Sequence, residues 1–173
     1  MASQYWQIDD FRPPSTTRLR RCLFGLAWAG RRSLLQKHGF YDAMILGSGD
    51  RALACAGLGR FEDAIHMSCM SQRRATHYLE WAKPFHEKVQ ENMGLVEGNL
   101  LHLWHGDIAD RKYVERHRGL AQMDFDPYAD IALDVNGCWQ WVTDKQAMHT
   151  YIREYFFLRK EDGERGMSAA GQS

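Results

Sequence analysis

The segment that most restricts what this chain can fold into runs from Gln72 to Asn92, where Tyr78, Trp81, Phe85 and Val89 follow one another at steps of three, four and four residues. Steps of that size bring side chains onto one face of an α-helix, so the segment predicts a long helix with a bulky stripe that other parts of the chain must cover. Pro84 lies inside it, where the ring and the missing N–H predict a kink, and Gly94 predicts its end.

Shorter elements are expected on either side. From Arg31 a short helix runs through Leu34 and Leu35 to Gly39, a residue suited to a left-handed C-cap. "FYDAMILGSGD" is an apolar stretch broken by Gly47 and Gly49, and "RALACAGLG" is alanine-rich and helical as far as Gly59, which puts Asp50 at a helix N-terminus as its cap. "LVEGNLLHLWH" alternates between glycines and predicts a strand with Leu101, Leu103 and His105 on one face and Leu100, His102 and Trp104 on the other. After Gly106, Asp107 and Asp110 predict the capped start of a helix reaching about Gln122. "DFDPYAD" reads as a turn, and a tail with "GCWQW" and the aromatic helix "MHTYIREYFFLRKED" closes the fold. The resulting organisation is an irregular lead-in over 1–21, one domain over 22–162 and a disordered tail over 163–173. The expected class is α/β, a mixed sheet with flanking helices.

Composition narrows the partners. A chain of 173 residues can bury most of its apolar side chains without disulfides or structural metals. Its 22 basic and 22 acidic residues cancel, which removes any global field drawing it to nucleic acid or an anionic membrane, so an anion site has to be local. Cys22, Cys55, Cys69 and Cys138 show no CxxC spacing and read as reduced, buried small residues of a cytoplasmic protein. The longest apolar run, Cys22 to Gly30, is far too short to span a bilayer.

Three constellations carry chemistry. His102 and His105 flank Trp104 and Gly106; a bend at the strand end would turn both imidazoles toward a shared metal ion, and the competing reading is a pair of ordinary half-buried histidines. Arg111, Tyr113 and Arg116 follow on the next helix, where guanidiniums suit phosphate oxygens and a helix N-terminus adds backbone donors; the competing reading is a solvated face with Arg111 paired to Glu115. Asp50 is either a helix cap or a carboxylate on a glycine-flexed loop, kept ionised by the helix dipole and able to take a proton from a hydroxyl, with Gly47 and Gly49 letting a bulky ligand approach the backbone. Trp28, Trp104, Trp139 and Trp141 offer indole faces that suit either a core or a sugar ring.

Taken in order, "GLAWAGRRSLLQKHGFYDAMILGSGDRALA", "NLLHLWHGDIADRKYVERHRGL" and "FDPYAD" resemble the acceptor-side, C-terminal half of a GT-A glycosyltransferase, over roughly residues 24–160. The resemblance implies transfer of a sugar from a nucleotide-sugar donor to a hydroxyl of a glycan or other acceptor. It matches Asp50 to the acidic residue that contacts the acceptor and serves as base in inverting members. His105 matches a late metal ligand and His102 a further one. Gly47, Gly49, Trp28, Trp104, Arg111, Tyr113 and Arg116 fall in the donor- and acceptor-binding segments. A divalent cation, Mn2+ or Mg2+, is implied, held weakly by this chain alone. The nucleotide-binding half that carries "Asp-x-Asp" in such enzymes has no counterpart here, Asp9 and Asp10 being adjacent, so that half is expected from a longer protein or a partner. Its lack also leaves open a catalytically silent carbohydrate or nucleotide-sugar binding module.

Overall fold

The computed structural model describes residues 27–94, 96, 101, 106–107 and 109–161. The expected lead-in, the tail beyond residue 161, Cys22, and the corner formed by His102, Trp104 and His105 lie outside the described residues. The elements in chain order are α1 (Arg32–His38), α2 (Gly49–Gly57), α3 (Phe61–Met67), α4 (Gln72–Val89), a 3-10 turn (Ala109–Arg111), α5 (Glu115–Gln122), α6 (Pro127–Asp130), β1 (Ile131–Leu133), β2 (Trp139–Trp141) and α7 (Gln146–Leu158).

The long helix is the organising element. Ser71 caps α4 by accepting the Arg74 amide at 3.3 Å. Tyr78, Ala82, Phe85 and Val89 are buried along one face, against which α1, α2, α3 and α6 pack. Alanines at 52, 54 and 56 let α2 come close, and Tyr78 donates its hydroxyl to the Ala52 carbonyl at 2.8 Å, so the ring fills the seam without leaving its polar end unpaired. Trp81 does the same for α1, its indole N–H reaching the His38 carbonyl at 2.8 Å. Each large apolar side chain withdrawn here contributes roughly 1.5–3 kcal/mol. Phe125, Leu120, Met148 and Ile152 extend the core toward α5 and α7.

The described part is helix-rich, with a small sheet in which β1 pairs antiparallel with β2, Ala132 opposite Gln140. An α/β description holds at that coarse level. Most of the strand expected at 95–105 lies outside the described residues; Val96 and Leu101, which are described, are exposed and not in a strand. "GCWQW" instead supplies β2, and Asp134 closes the hairpin by accepting the amides of Asn136 and Cys138, both at 2.8 Å.

Four expectations are corrected by local geometry. Asp50 is not the cap of α2; that position belongs to Ser48, in left-handed backbone at φ 71°, and Asp50 sits in the first turn. The helix expected from Asp107 is interrupted, because Lys112 at φ 43° breaks it into a 3-10 turn and α5. "DFDPYAD" is more than a turn: Asp126 accepts the Tyr128 amide at 3.0 Å and starts the short helix α6. The thiols are free but not uniformly buried, with Cys55 buried, Cys69 intermediate and Cys138 exposed on the hairpin. Burial pushes the Cys55 thiol up to about 12, which leaves it inert at neutral pH. Among the described residues, no helix is long and apolar enough to cross a membrane.

Candidate functional site

The glycine-rich loop Gly47-Ser48-Gly49 is held by groups that arrive from the other half of the chain. Gly47 has φ 88°, a left-handed conformation that favours glycine, and a Cβ there would come within 3.4 Å of the Arg116 guanidinium. Ser48 does not use its hydroxyl to cap its own helix. Its Oγ accepts from Arg116 Nη2 at 2.8 Å and meets His117 Nε2 at 2.9 Å. Thus the start of α2 and the first turn of α5 share one polar junction, although the residues are more than sixty positions apart.

Arg116 is 4 % exposed. Its Nη1 donates to the Tyr155 hydroxyl at 2.5 Å, and its guanidinium carbon lies 4.9 Å from the Tyr113 ring centre and 5.6 Å from that of Tyr155. Tyr155 in turn donates to the Arg111 carbonyl at 3.4 Å, tying α7 to the segment before α5. Tyr113 is thereby placed as a half-covered platform under a guanidinium. Among the described residues Arg116 has no carboxylate within ion-pair distance, and its Nε has no hydrogen-bond acceptor.

Arg74, from α4, is 2 % exposed, and neither Nη1 nor Nη2 has an acceptor. Its guanidinium carbon stands 5.5 Å from the centre of the Phe125 ring. Burial lowers its pKa, a shift opposed by Tyr41 and Cys69, yet a guanidinium stays charged in a protein. His117 is fully buried, its pKa pushed down to about 3 by burial and then by the charges of Arg116, Arg74 and Arg51. It is therefore neutral at pH 7. Either neutral tautomer satisfies the contact with Ser48 and leaves Nδ1 without a partner.

The energetics of this cluster are unusual. Each buried guanidinium costs several kcal/mol in lost hydration, and cation–π contact with an aromatic ring returns about 0.5–2 kcal/mol.

Asp50 is partly exposed at the solvent side of the same loop, and its carboxylate makes no hydrogen bond or ion pair among the described residues. A carboxylate in the first turn of a helix that makes no bond of its own is open to a hydrogen bond from a ligand hydroxyl. Arg111, by contrast, is buried and bonded to Glu161 Oε1 at 2.9 Å, so the arginine that meets the glycine loop is Arg116 and the one held by a carboxylate is Arg111. The break at Lys112 sends the two side chains to different partners. Trp28 lies in the irregular segment ahead of α1 and is 42 % exposed. Trp139 and Trp141 sit on the hairpin, Trp141 stacked on His149 at 4.5 Å. Among the described residues, no three His, Cys, Asp or Glu side chains gather as a metal site, and the expected ligands His102 and His105 fall outside them.

Sequence reading did not single out Ser48, Arg74, His117 and Tyr155. For Arg74 the signal was present, since it lies four residues before Tyr78 on the stripe that α4 buries. The other three become visible only once α5 and α7 are packed on the loop. Comparison with protein-family models, with curated proteins and with solved structures finds no match to this chain.

Proposed function

We propose that this chain is the acceptor-side part of a glycosyltransferase, acting in the cytoplasm on a nucleotide-sugar donor and a hydroxyl acceptor, with the nucleotide-binding half supplied by another segment or partner. The observation that carries the reading is the meeting of two of the segments on which the resemblance rests: the Arg116 guanidinium from "RKYVERHR" bonds the Ser48 hydroxyl of "LGSGD" at 2.8 Å. In this reading Asp50 takes the proton of the acceptor hydroxyl as it attacks the sugar. Arg116 and the α2 N-terminus supply positive potential beside it, and Tyr113 and Trp28 offer aromatic faces for sugar rings. His105, with His102, would hold a divalent cation, which supplies charge neutralisation for the departing diphosphate.

The test is nucleoside diphosphate release from a panel of nucleotide sugars in the presence of Mn2+ or Mg2+, measured for the chain alone and joined to a donor half carrying "Asp-x-Asp". Turnover should fall by about 10²- to 10⁴-fold in Asp50→Asn, with sugar binding retained. Turnover that ignores Asp50→Asn would remove it as the base. Saturable glycan or nucleotide-sugar binding without turnover in any combination would make the chain a non-catalytic binding module.

A further inference from the structure

α4 runs alongside α2, with Tyr78 bonded to the Ala52 carbonyl at 2.8 Å and His86 at the Gly57 carbonyl at 3.2 Å, so Arg74, one turn before Tyr78, lies level with Ser48, where Arg116 and His117 arrive from α5. Arg74 and Arg116 are both more than nine-tenths buried, and Arg74 Nη1 and Nη2, Arg116 Nε and His117 Nδ1 have no hydrogen-bond partner among the described residues. Among the described residues the Arg116 guanidinium bonds hydroxyls alone, those of Ser48 and Tyr155, which carry no charge. Guanidiniums kept inside in this state carry a cost that a neutral side chain of the same volume would avoid and that a bound anion would offset.

We infer that the Arg74–Arg116–His117 cluster behind the Gly47-Ser48-Gly49 loop is an oxyanion site that takes a phosphoryl group. Two features select phosphoryl over carboxylate. The unpartnered donors come from two helices rather than one planar fork, which suits a tetrahedral group with several acceptor oxygens better than a flat one satisfied by a single guanidinium. The two arginines also present a double positive charge, matching a phosphate dianion, while the neutral His117 can complete the donor set through Nδ1–H. The nine-residue helix α2 points its N-terminal amides and positive dipole end toward the same loop. Gly47 is exposed and Asp50 and Arg51 are partly so, so solvent reaches that side of the loop. The site rests on burial and missing partners, and only the identity of its phosphoryl source rests on the proposed sugar transfer.

Two sources share this chemistry, a phosphorylated acceptor and the diphosphate of a nucleotide donor, and the experiment separates them. The intact chain is titrated with inorganic phosphate at constant ionic strength, with chloride as control, and followed by calorimetry and thermal unfolding. Phosphate should bind saturably, with a Kd of about 1 mM or tighter, and raise Tm where chloride does not. In Arg74→Met the Tm without phosphate should rise, since an uncompensated charge has gone, and the phosphate-dependent rise should vanish. A nucleoside diphosphate that competes with phosphate identifies the donor as the source, and a sugar phosphate that competes while a nucleoside diphosphate does not identifies the acceptor. Absence of saturable phosphate binding in the unmodified chain would overturn the site, as would an equal phosphate response in a folded Arg74→Met. If Arg74→Met does not fold, Arg74→Lys, which keeps the charge and loses the guanidinium fork, should weaken phosphate binding severalfold, and an unchanged affinity there would overturn the assignment.

Discussion

Acid should unfold this protein earlier than its carboxylates alone would dictate, and His117 sets the reason. Its imidazole is completely buried against Ser48, and its pKa is held near about 3 by burial and by Arg116, Arg74 and Arg51. In the unfolded chain the same group titrates near 6.5. Because the folded value is the lower one, the contribution is complete above about pH 6.5 and is lost as pH falls toward 3, where the unfolded state takes up a proton that the folded state refuses. The slope for one proton is about 1.4 kcal/mol per pH unit, so moving from pH 7 to pH 4.5 should remove about 2.5 kcal/mol through this residue alone. Other groups act in the same direction. Burial also lowers the pKa of His77, against the pull of Glu80, Asp126 and Asp42. Asp130 is held below the usual carboxylate range because bonds from the Asp126 amide, Lys145 and Thr143 outweigh its burial, but it acts only at lower pH. The difference between the parent and His117→Gln isolates the histidine. Urea unfolding at half-unit steps from pH 7.5 to 4.5 should show the parent losing about 2.5 kcal/mol more than His117→Gln. Parallel stability profiles for the two proteins would refute a neutral, fully buried His117 and with it the cationic surroundings assigned to it.

Two further substitutions test the packing that holds the site. A Cβ on Gly119 would lie 2.3 Å from the Tyr151 hydroxyl, so Gly119→Ala should displace that ring from the Arg116 carbonyl it bonds at 3.1 Å and cost about 1–3 kcal/mol in urea unfolding, with unchanged stability as the contrary result. Asp130 is fully buried and accepts from Lys145 at 2.9 Å, Thr143 at 2.8 Å and the Asp126 amide at 2.8 Å; Asp130→Ala should cost about 3–5 kcal/mol, and a loss below about 1 kcal/mol would show the network to be dispensable.

Much of the helical framework is local and was therefore legible in the chain. The steps between Tyr78, Phe85 and Val89 specify which face of α4 is buried, Gly39 ends α1 at φ 61°, and the alanine-rich run after Gly49 forms α2, because each of these depends on neighbours within one or two turns. The glycine-rich loop at 47–49 also stood out in the chain as a break between an apolar stretch and a helix. What the tertiary structure decided is which charges face that loop. Arg111 and Arg116 both fall in the binding segments that the resemblance marks, yet, on either side of the left-handed turn at Lys112, Arg111 pairs with Glu161 and Arg116 bonds Ser48. Arg74 follows the apolar period of α4, but that its Nη1 and Nη2 meet no acceptor among the described residues depends on what packs around it, Phe125 included. The positions of the two strands were not legible because a three-residue strand gains its pairing from the hairpin that Asp134 closes rather than from its own pattern. Periodicity records which side of an element is buried; only the packed chain records what lies opposite, and a buried charge takes its meaning from that.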